Sequence, residues 1–162
     1  MAIVVETGTG SSTSESYASI VNYTSYLSKY GYDADAGTDA EIEGALRRAM
    51  SYIEAFKFYG SRTTNTQSLS FPRYNVDIDG MTIDSDEIPT GLINATCEAT
   101  RLERASTGIL LPSVSKNIKR KQISVLETEY FGPSGETVSY TQIKSFLKGL
   151  IYTTGVVEFS RA

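Results

Sequence analysis

One acidic stretch of the chain carries oxygen side chains at spacings that could bind a metal ion. Five residues match the calcium loop of an EF-hand: Asn75, Asp77, Asp79, Gly80 at the sixth place, and Asp86 at the twelfth. However, the first place holds asparagine, the twelfth lacks the usual bidentate glutamate, and Pro72 is incompatible with an entering helix. We therefore expect an acidic hairpin with solvated aspartates and no cofactor, and keep a calcium site as the less favoured alternative.

A second cluster could bind nucleic acid. Four cations fall within six residues: Lys116, Lys119, Arg120 and Lys121. Such a run can follow a phosphate backbone without reading bases. The alternative is a solvated strand edge that its lysines protect from aggregation, and the residues alone favour this alternative.

Enzymatic chemistry has little support in the sequence. The chain contains no histidine, which removes the commonest general base, the Ser-His and Cys-His nucleophile pairs and the usual zinc ligands. Gly8 to Ser11 superficially suggests a phosphate loop, but no Gly-Lys-Ser/Thr motif follows. The single cysteine, Cys97, is expected to be a packing residue in a helix. We expect a protein that is not an enzyme.

Charge is unevenly distributed between the two halves of the chain. Residues 1–90 hold 6 Lys/Arg against 13 Asp/Glu, a net of −7, whereas residues 91–162 hold 9 against 6, a net of +3. The acidic total argues against a dedicated, high-affinity DNA-binding protein, because such affinity comes largely from phosphate neutralisation. The acidic total is still compatible with a local basic strip that faces DNA.

Three helices are predicted to build the core. The first begins near Ser19, places Ile20, Tyr23, Leu27 and Tyr30 near one face, and stops at Gly31. The second follows a capping box formed by Thr38 and Glu41. The third runs from about Pro89 and ends before Gly108, preceded by acidic residues 86–87 that suit its positive end. We expect the second and third helices to form the core pair.

The segments between and after these helices indicate a small β component. Asp79-Gly80 predicts a type I′ turn in a short hairpin. Residues 118–130 indicate a strand or a long hairpin arm, and residues 140–151 a short helix. The ending alternates apolar residues and could dock on the sheet edge of a neighbour or fold onto its own domain; the residues concerned are Val156, Val157 and Phe159.

Together these elements predict a single domain that is mainly α with a small β component. We expect a flexible N-terminal arm over residues 1–18, a helical core with the Asp-Gly hairpin over 19–111, and a strand or hairpin, short helix and C-terminal arm over 112–162. The N-terminus does not have the pattern of a signal peptide, and no apolar run approaches membrane-spanning length.

The order of these motifs resembles a known protein family. The sequence contains MAIVVETGTG and SYAS before the first helix, GSRT after the second, FPR, an Asp-Gly hairpin, DEIP before the third helix, and NIKRKQISVLETEY late in the chain. This order is similar to that of tailed-bacteriophage head-tail connector or adaptor (head completion) proteins, often labelled DnaT-like putative single-stranded-DNA-binding proteins. Phe71 stands where the family pattern has tryptophan.

The resemblance implies a helical-bundle adaptor with extended terminal arms, acting as a structural virion protein of the neck and assembled in the host cytoplasm. It would form a homo-oligomeric ring, dodecameric like the portal, between the portal protein and a downstream tail or stopper protein. Genomic DNA would pass with weak, non-specific contact at Lys116, Lys119, Arg120 and Lys121. The segment with Val156, Val157 and Phe159 would dock on the portal or on a neighbouring subunit. No membrane is implied. The alternative is a single-stranded-DNA-binding protein of phage replication or packaging.

Overall fold

The computed structural model describes residues 2–110 and 140–152, and the backbone of residues 120–123 and 126–129. Within these residues the chain forms four helices, α1 (Ile20–Tyr30), α2 (Asp39–Ile53), α3 (Thr90–Ala105) and α4 (Thr141–Phe146). Short antiparallel pairs join β1 (Ser61–Arg62) to β2 (Arg73–Tyr74), β3 (Asp77–Ile78) to β4 (Met81–Thr82), and β5 (Arg120–Ile123) to β6 (Leu126–Glu129). The fold is therefore mixed, with helices providing most of the regular structure.

Helix α1 begins and ends where the sequence predicted. Ser19 and Asn22 form a reciprocal capping box, and Gly31 ends the helix in the left-handed conformation with φ of 72°. The buried face of α1 differs from the predicted face at one position. Tyr26 lies in the core, whereas Tyr30, which was predicted on this face, is 40% exposed.

Helices α2 and α3 share the most extensive interface of the fold, which confirms the predicted core pair. One core cluster joins small and branched side chains without solvent exposure: Ala49 and Ile53 from α2 with Leu92, Ala95 and Ala99 from α3. Cys97 is buried on α3 towards α1, and burial raises the pKa of its thiol to about 12. Its predicted packing role is confirmed.

The connector between α2 and α3 contains the predicted hairpin. Asp79 and Gly80 both have positive φ, 52° and 83°, as a type I′ turn requires. Acidic residues 86–87 precede α3, as predicted, and none of them lies in its first turn. Pro89 is the N-cap of α3, and a separate turn closed by the bond from Glu87 N–H to the Asp84 carbonyl precedes it.

Helix α4 is shorter than predicted and ends at Phe146 instead of continuing to Ile151. Gly149 adopts a left-handed φ of 82°, which turns the chain, and Ile151 then forms an antiparallel bridge with Phe58. The predicted apolar face is nevertheless buried at Ile143, Leu147 and Leu150.

The N-terminal segment, predicted to be a flexible arm, is packed against the rest of the fold over residues 2–18. The buried carboxylate of Glu6 accepts hydrogen bonds from the N–H groups of Gly8, Gly10 and Ser11 and from Ser14 Oγ, at 2.9 to 3.1 Å. Burial alone would raise the pKa of Glu6, but these bonds outweigh it and the pKa is lowered. A loop held by hydrogen bonds to one carboxylate has no apolar periodicity. The search for apolar periodicity in the sequence therefore did not detect it.

The region predicted as a strand or long hairpin arm contains an antiparallel hairpin. Strands β5 and β6 pair from Arg120 opposite Glu129 to Ile123 opposite Leu126. The predicted division of the chain at residue 111 falls outside the described residues and stays a prediction. Across the described helices, none combines the length and apolar character that a membrane crossing needs.

Candidate nucleic-acid and assembly surfaces

The predicted basic cluster is only partly within the described residues. Arg120 and Lys121 are the first two residues of β5, opposite Glu129 and Thr128 of β6. Lys116 and Lys119 lie outside the described residues, as do Val156, Val157 and Phe159 of the predicted docking segment. The basic run therefore leads into the first strand of the β5–β6 hairpin.

The calcium candidates lie on the β3–β4 hairpin and the turns around it, without an entering helix. Asn75 has a left-handed φ of 56°, and Asp77 Oδ1 accepts a hydrogen bond from Thr82 Oγ1 at 2.5 Å, across the hairpin. Asp79 is part of the turn, and Asp86 lies in the exposed segment before α3. Among the described Cys, Asp and Glu side chains, no group of three or more could hold a metal ion.

The arginines of the helical core are engaged with carboxylates. Arg104 binds Asp35 through two hydrogen bonds of 2.8 Å, and Arg101 binds Glu98 at 2.9 and 2.7 Å. Arg48 pairs with Glu103 at 3.1 Å and Arg47 with Glu15 at 2.9 Å. Residues 2–110 hold 8 Lys/Arg against 15 Asp/Glu, so this part of the chain carries a net charge of −7. The core is therefore a poor general surface for phosphates.

Asp35 illustrates how these ion pairs position the loop between α1 and α2. Hydrogen bonds from Arg104, the Gly37 N–H and the Tyr23 hydroxyl lower the pKa of Asp35 to about 2, against an opposing effect of burial. The carboxylate thus ties the loop to both α1 and α3.

We expect Asp35→Asn to lower the free energy of unfolding by about 1–2 kcal/mol at neutral pH, after allowance for solvent screening. The folded pKa lies below the ordinary value of 3.8, so this stabilisation is present above about pH 4 and is lost as pH falls towards 2. Urea unfolding at a series of pH values should show the free energies of unfolding of the parent protein and Asp35→Asn becoming equal as pH falls. Asp33→Asn, on the exposed neighbour, is the control; a gap that stayed constant with pH would contradict the assignment.

A different surface combines exposed aromatic rings with lysines. Tyr59 and Tyr152 are 38% and 46% exposed, and their ring centroids lie 4.0 Å apart. Lys57 Nζ lies 5.0 Å from the Tyr152 centroid. Beside them is a cleft of about 320 Å³, lined by Phe56, Thr141, Lys144, Ser145, Lys148, Ile151 and Tyr152. We call this surface, comprising Tyr59, Tyr152, Lys57, Lys144 and Lys148, the tyrosine–lysine face.

The backbone holds the two tyrosines beside each other. Phe58 bridges Ile151, the Tyr59 N–H donates to the Leu150 carbonyl, and the Tyr152 N–H donates to the Lys57 carbonyl, both at 2.9 Å. Sequence reasoning missed this face because the two tyrosines are far apart in the chain. The available signal was local: each tyrosine lies close to lysine residues, Lys57 for Tyr59 and Lys148 for Tyr152.

The whole chain is similar to a known protein family. No curated protein and no solved structure matches the sequence. A family profile with the description "Putative DnaT-like ssDNA binding protein" matches residues 1–162. Because this match spans the entire chain, the protein belongs to that DnaT-like family.

Proposed function

We propose that this protein is a non-enzymatic head-to-tail adaptor of a tailed bacteriophage. It would form a ring beneath the portal protein, link the capsid to the next tail component and leave a channel for DNA. Its location would be the neck of the virion. Three features support this role: the order of the sequence motifs, the acidic charge of the core and the β5–β6 hairpin.

The observation that carries this proposal is the antiparallel β5–β6 hairpin late in the chain. Among the described elements, β5 and β6 pair with each other and form no substantial contact with another element. A two-stranded hairpin can pair along an edge with a strand of another chain. Such an arm suits contact between subunits of a ring, where many weak interfaces add through closure.

The composition of the core supports the same role. Residues 2–110 are acidic, and the arginines of the helices are bound to carboxylates, whereas residues 111–162 hold 7 Lys/Arg against 4 Asp/Glu. In a ring, this distribution would limit DNA contact to one part of each subunit. Weak contact is suitable because the genome must slide through the channel.

The test is electron microscopy of this protein mixed with the portal protein from the same genome, at low and moderate salt. The adaptor role predicts an additional ring of density on the portal at both salt concentrations, and the image would give the number of subunits, expected to be twelve. Bare portals at both salt concentrations would contradict the proposal.

The second candidate is a single-stranded-DNA-binding protein of phage replication or packaging, and the family description favours it. The candidate surface is the basic run at Lys116, Lys119, Arg120 and Lys121. It would act by phosphate neutralisation, so its affinity should fall steeply with salt.

For this candidate, Arg120→Gln/Lys121→Gln should weaken binding of a fluorescent oligodeoxythymidine. Removing two phosphate contacts should make the slope of log affinity against log salt shallower by about 1.4, since each single-strand contact contributes about 0.7. Fluorescence anisotropy over a salt series measures this slope. Lys29→Gln/Arg62→Gln removes the same two residue types from exposed core positions and is the matched control. Equal slopes for the two variants would exclude the hairpin as the binding surface.

A further inference from the structure

We propose that the tyrosine–lysine face is a binding site for single-stranded nucleic acid. An unpaired base would stack on the exposed rings of Tyr59 and Tyr152, and the neighbouring lysines would bind the phosphates on either side. This inference deepens the single-stranded-DNA-binding candidate and does not depend on portal docking. It assigns a site on the core, separate from the basic hairpin.

The rings provide the surface that a base needs. Tyr59 and Tyr152 are 38% and 46% exposed, and every nucleobase can stack on an open aromatic face regardless of its identity. The bridge between Phe58 and Ile151 holds the backbone at the residue before each tyrosine. Little conformational entropy is therefore lost when a base binds.

The lysines provide the charge. Lys144 and Lys148 line the cleft next to Tyr152, and neither forms an ion pair within the described part of the chain. Lys57 Nζ lies 5.0 Å from the centroid of the Tyr152 ring, near enough to bind a phosphate beside a stacked base. None of the described residues lining the cleft is acidic. This contrasts with the carboxylate-bound arginines of the same core.

The arrangement favours a single strand over a duplex. In a duplex the base faces are stacked on one another, so only the phosphates could reach this surface. The apolar floor formed by Phe56 and Ile151 would then remain uncovered. An open single strand can cover both the rings and the floor.

The test compares the parent protein and its variants for binding to a fluorescent oligodeoxythymidine. The oligonucleotide has about 12 nucleotides, within the usual site size of such proteins. Tyr152→Leu should weaken binding about five- to a hundred-fold, the loss expected for one stacked base. Tyr152→Phe keeps the ring and should bind like the parent protein. Tyr30→Leu is the matched control, because Tyr30 is 40% exposed and has Lys29 Nζ 5.9 Å from its ring; it should leave binding unchanged.

Lys144→Gln/Lys148→Gln measures the phosphate contribution at this face and should make the salt slope shallower by about 1.4. Duplex DNA of the same length should bind more weakly than the single strand and should not respond to Tyr152→Leu. Circular dichroism melting of each variant separates loss of the site from loss of the fold. If folded Tyr152→Leu binds like Tyr30→Leu, or if the parent protein does not bind the single strand, the proposal is wrong. Loss of binding in the Arg120/Lys121 variant alone would assign the strand to the hairpin instead.

Discussion

Phe71→Ala is expected to lower the free energy of unfolding by about 3–5 kcal/mol, which is a large part of the stability of an ordinary domain. The Phe71 side chain is completely buried and packs edge-on against two rings. Its centroid lies 6.5 Å from that of Tyr17 and 5.4 Å from that of Phe58. Alanine would leave a cavity between the N-terminal segment and the end of α2, and both rings would lose a partner.

Denaturant unfolding followed by circular dichroism measures this loss. For a chain of this size, the melting temperature should fall by about 10 °C or more. Tyr74→Ala removes a ring of similar size at a 49% exposed position and should change stability much less. Similar losses for Phe71→Ala and Tyr74→Ala would show that the buried Phe71 ring stabilises the fold no more than an exposed ring does.

Glu103→Ala is expected to lower the free energy of unfolding by about 3 kcal/mol. The Glu103 carboxylate is buried, and it accepts hydrogen bonds from Arg48 Nε at 3.1 Å, the Gly108 N–H at 2.9 Å and the Leu110 N–H at 3.2 Å. Removing it leaves the N–H of buried Leu110 without its acceptor, which is the main penalty. Arg48 is 43% exposed at its side chain and can be rehydrated, so we place the cost at the lower end for a broken buried pair.

Equilibrium unfolding in urea measures the cost, with Glu87→Ala as a control at an exposed glutamate. Arg48→Ala leaves the two backbone bonds in place but removes the countercharge of a carboxylate whose side chain is 2% exposed, so it measures the cost of breaking the ion pair alone. If Glu103→Ala costs no more than Arg48→Ala, the ion pair, and not the backbone bonds, provides the stabilisation.

The elements that sequence could predict are those specified by local chemistry. Ser19 and Thr38 mark helix starts because they cap within three residues, and Asp79-Gly80 marks a turn because both residues accept positive φ. The core pair followed from the spacing of apolar residues in α2 and α3.

What could not be predicted depends on partners that are distant in the chain or polar. Asp35 meets Arg104 and Tyr59 meets Tyr152 only after the helices have packed, and periodicity carries no record of such pairs. The segment around Glu6 is held by hydrogen bonds to one carboxylate, so its composition of Gly, Ser and Thr looked unstructured. Of the candidate sites, the basic run and the acidic hairpin could be predicted, whereas the tyrosine–lysine face required the three-dimensional structure.

The burial of Cys97 makes the chain well suited to site-specific labelling. Maleimides react with thiolates, and a thiol with a pKa of about 12 and no solvent exposure supplies almost none at neutral pH. Because the chain has only one cysteine, a second one placed at an exposed position such as Ser28 or Thr107 would be the single reactive thiol. Spin labels or cross-linkers could then report distances between neighbouring copies in an assembly, with the native core left intact.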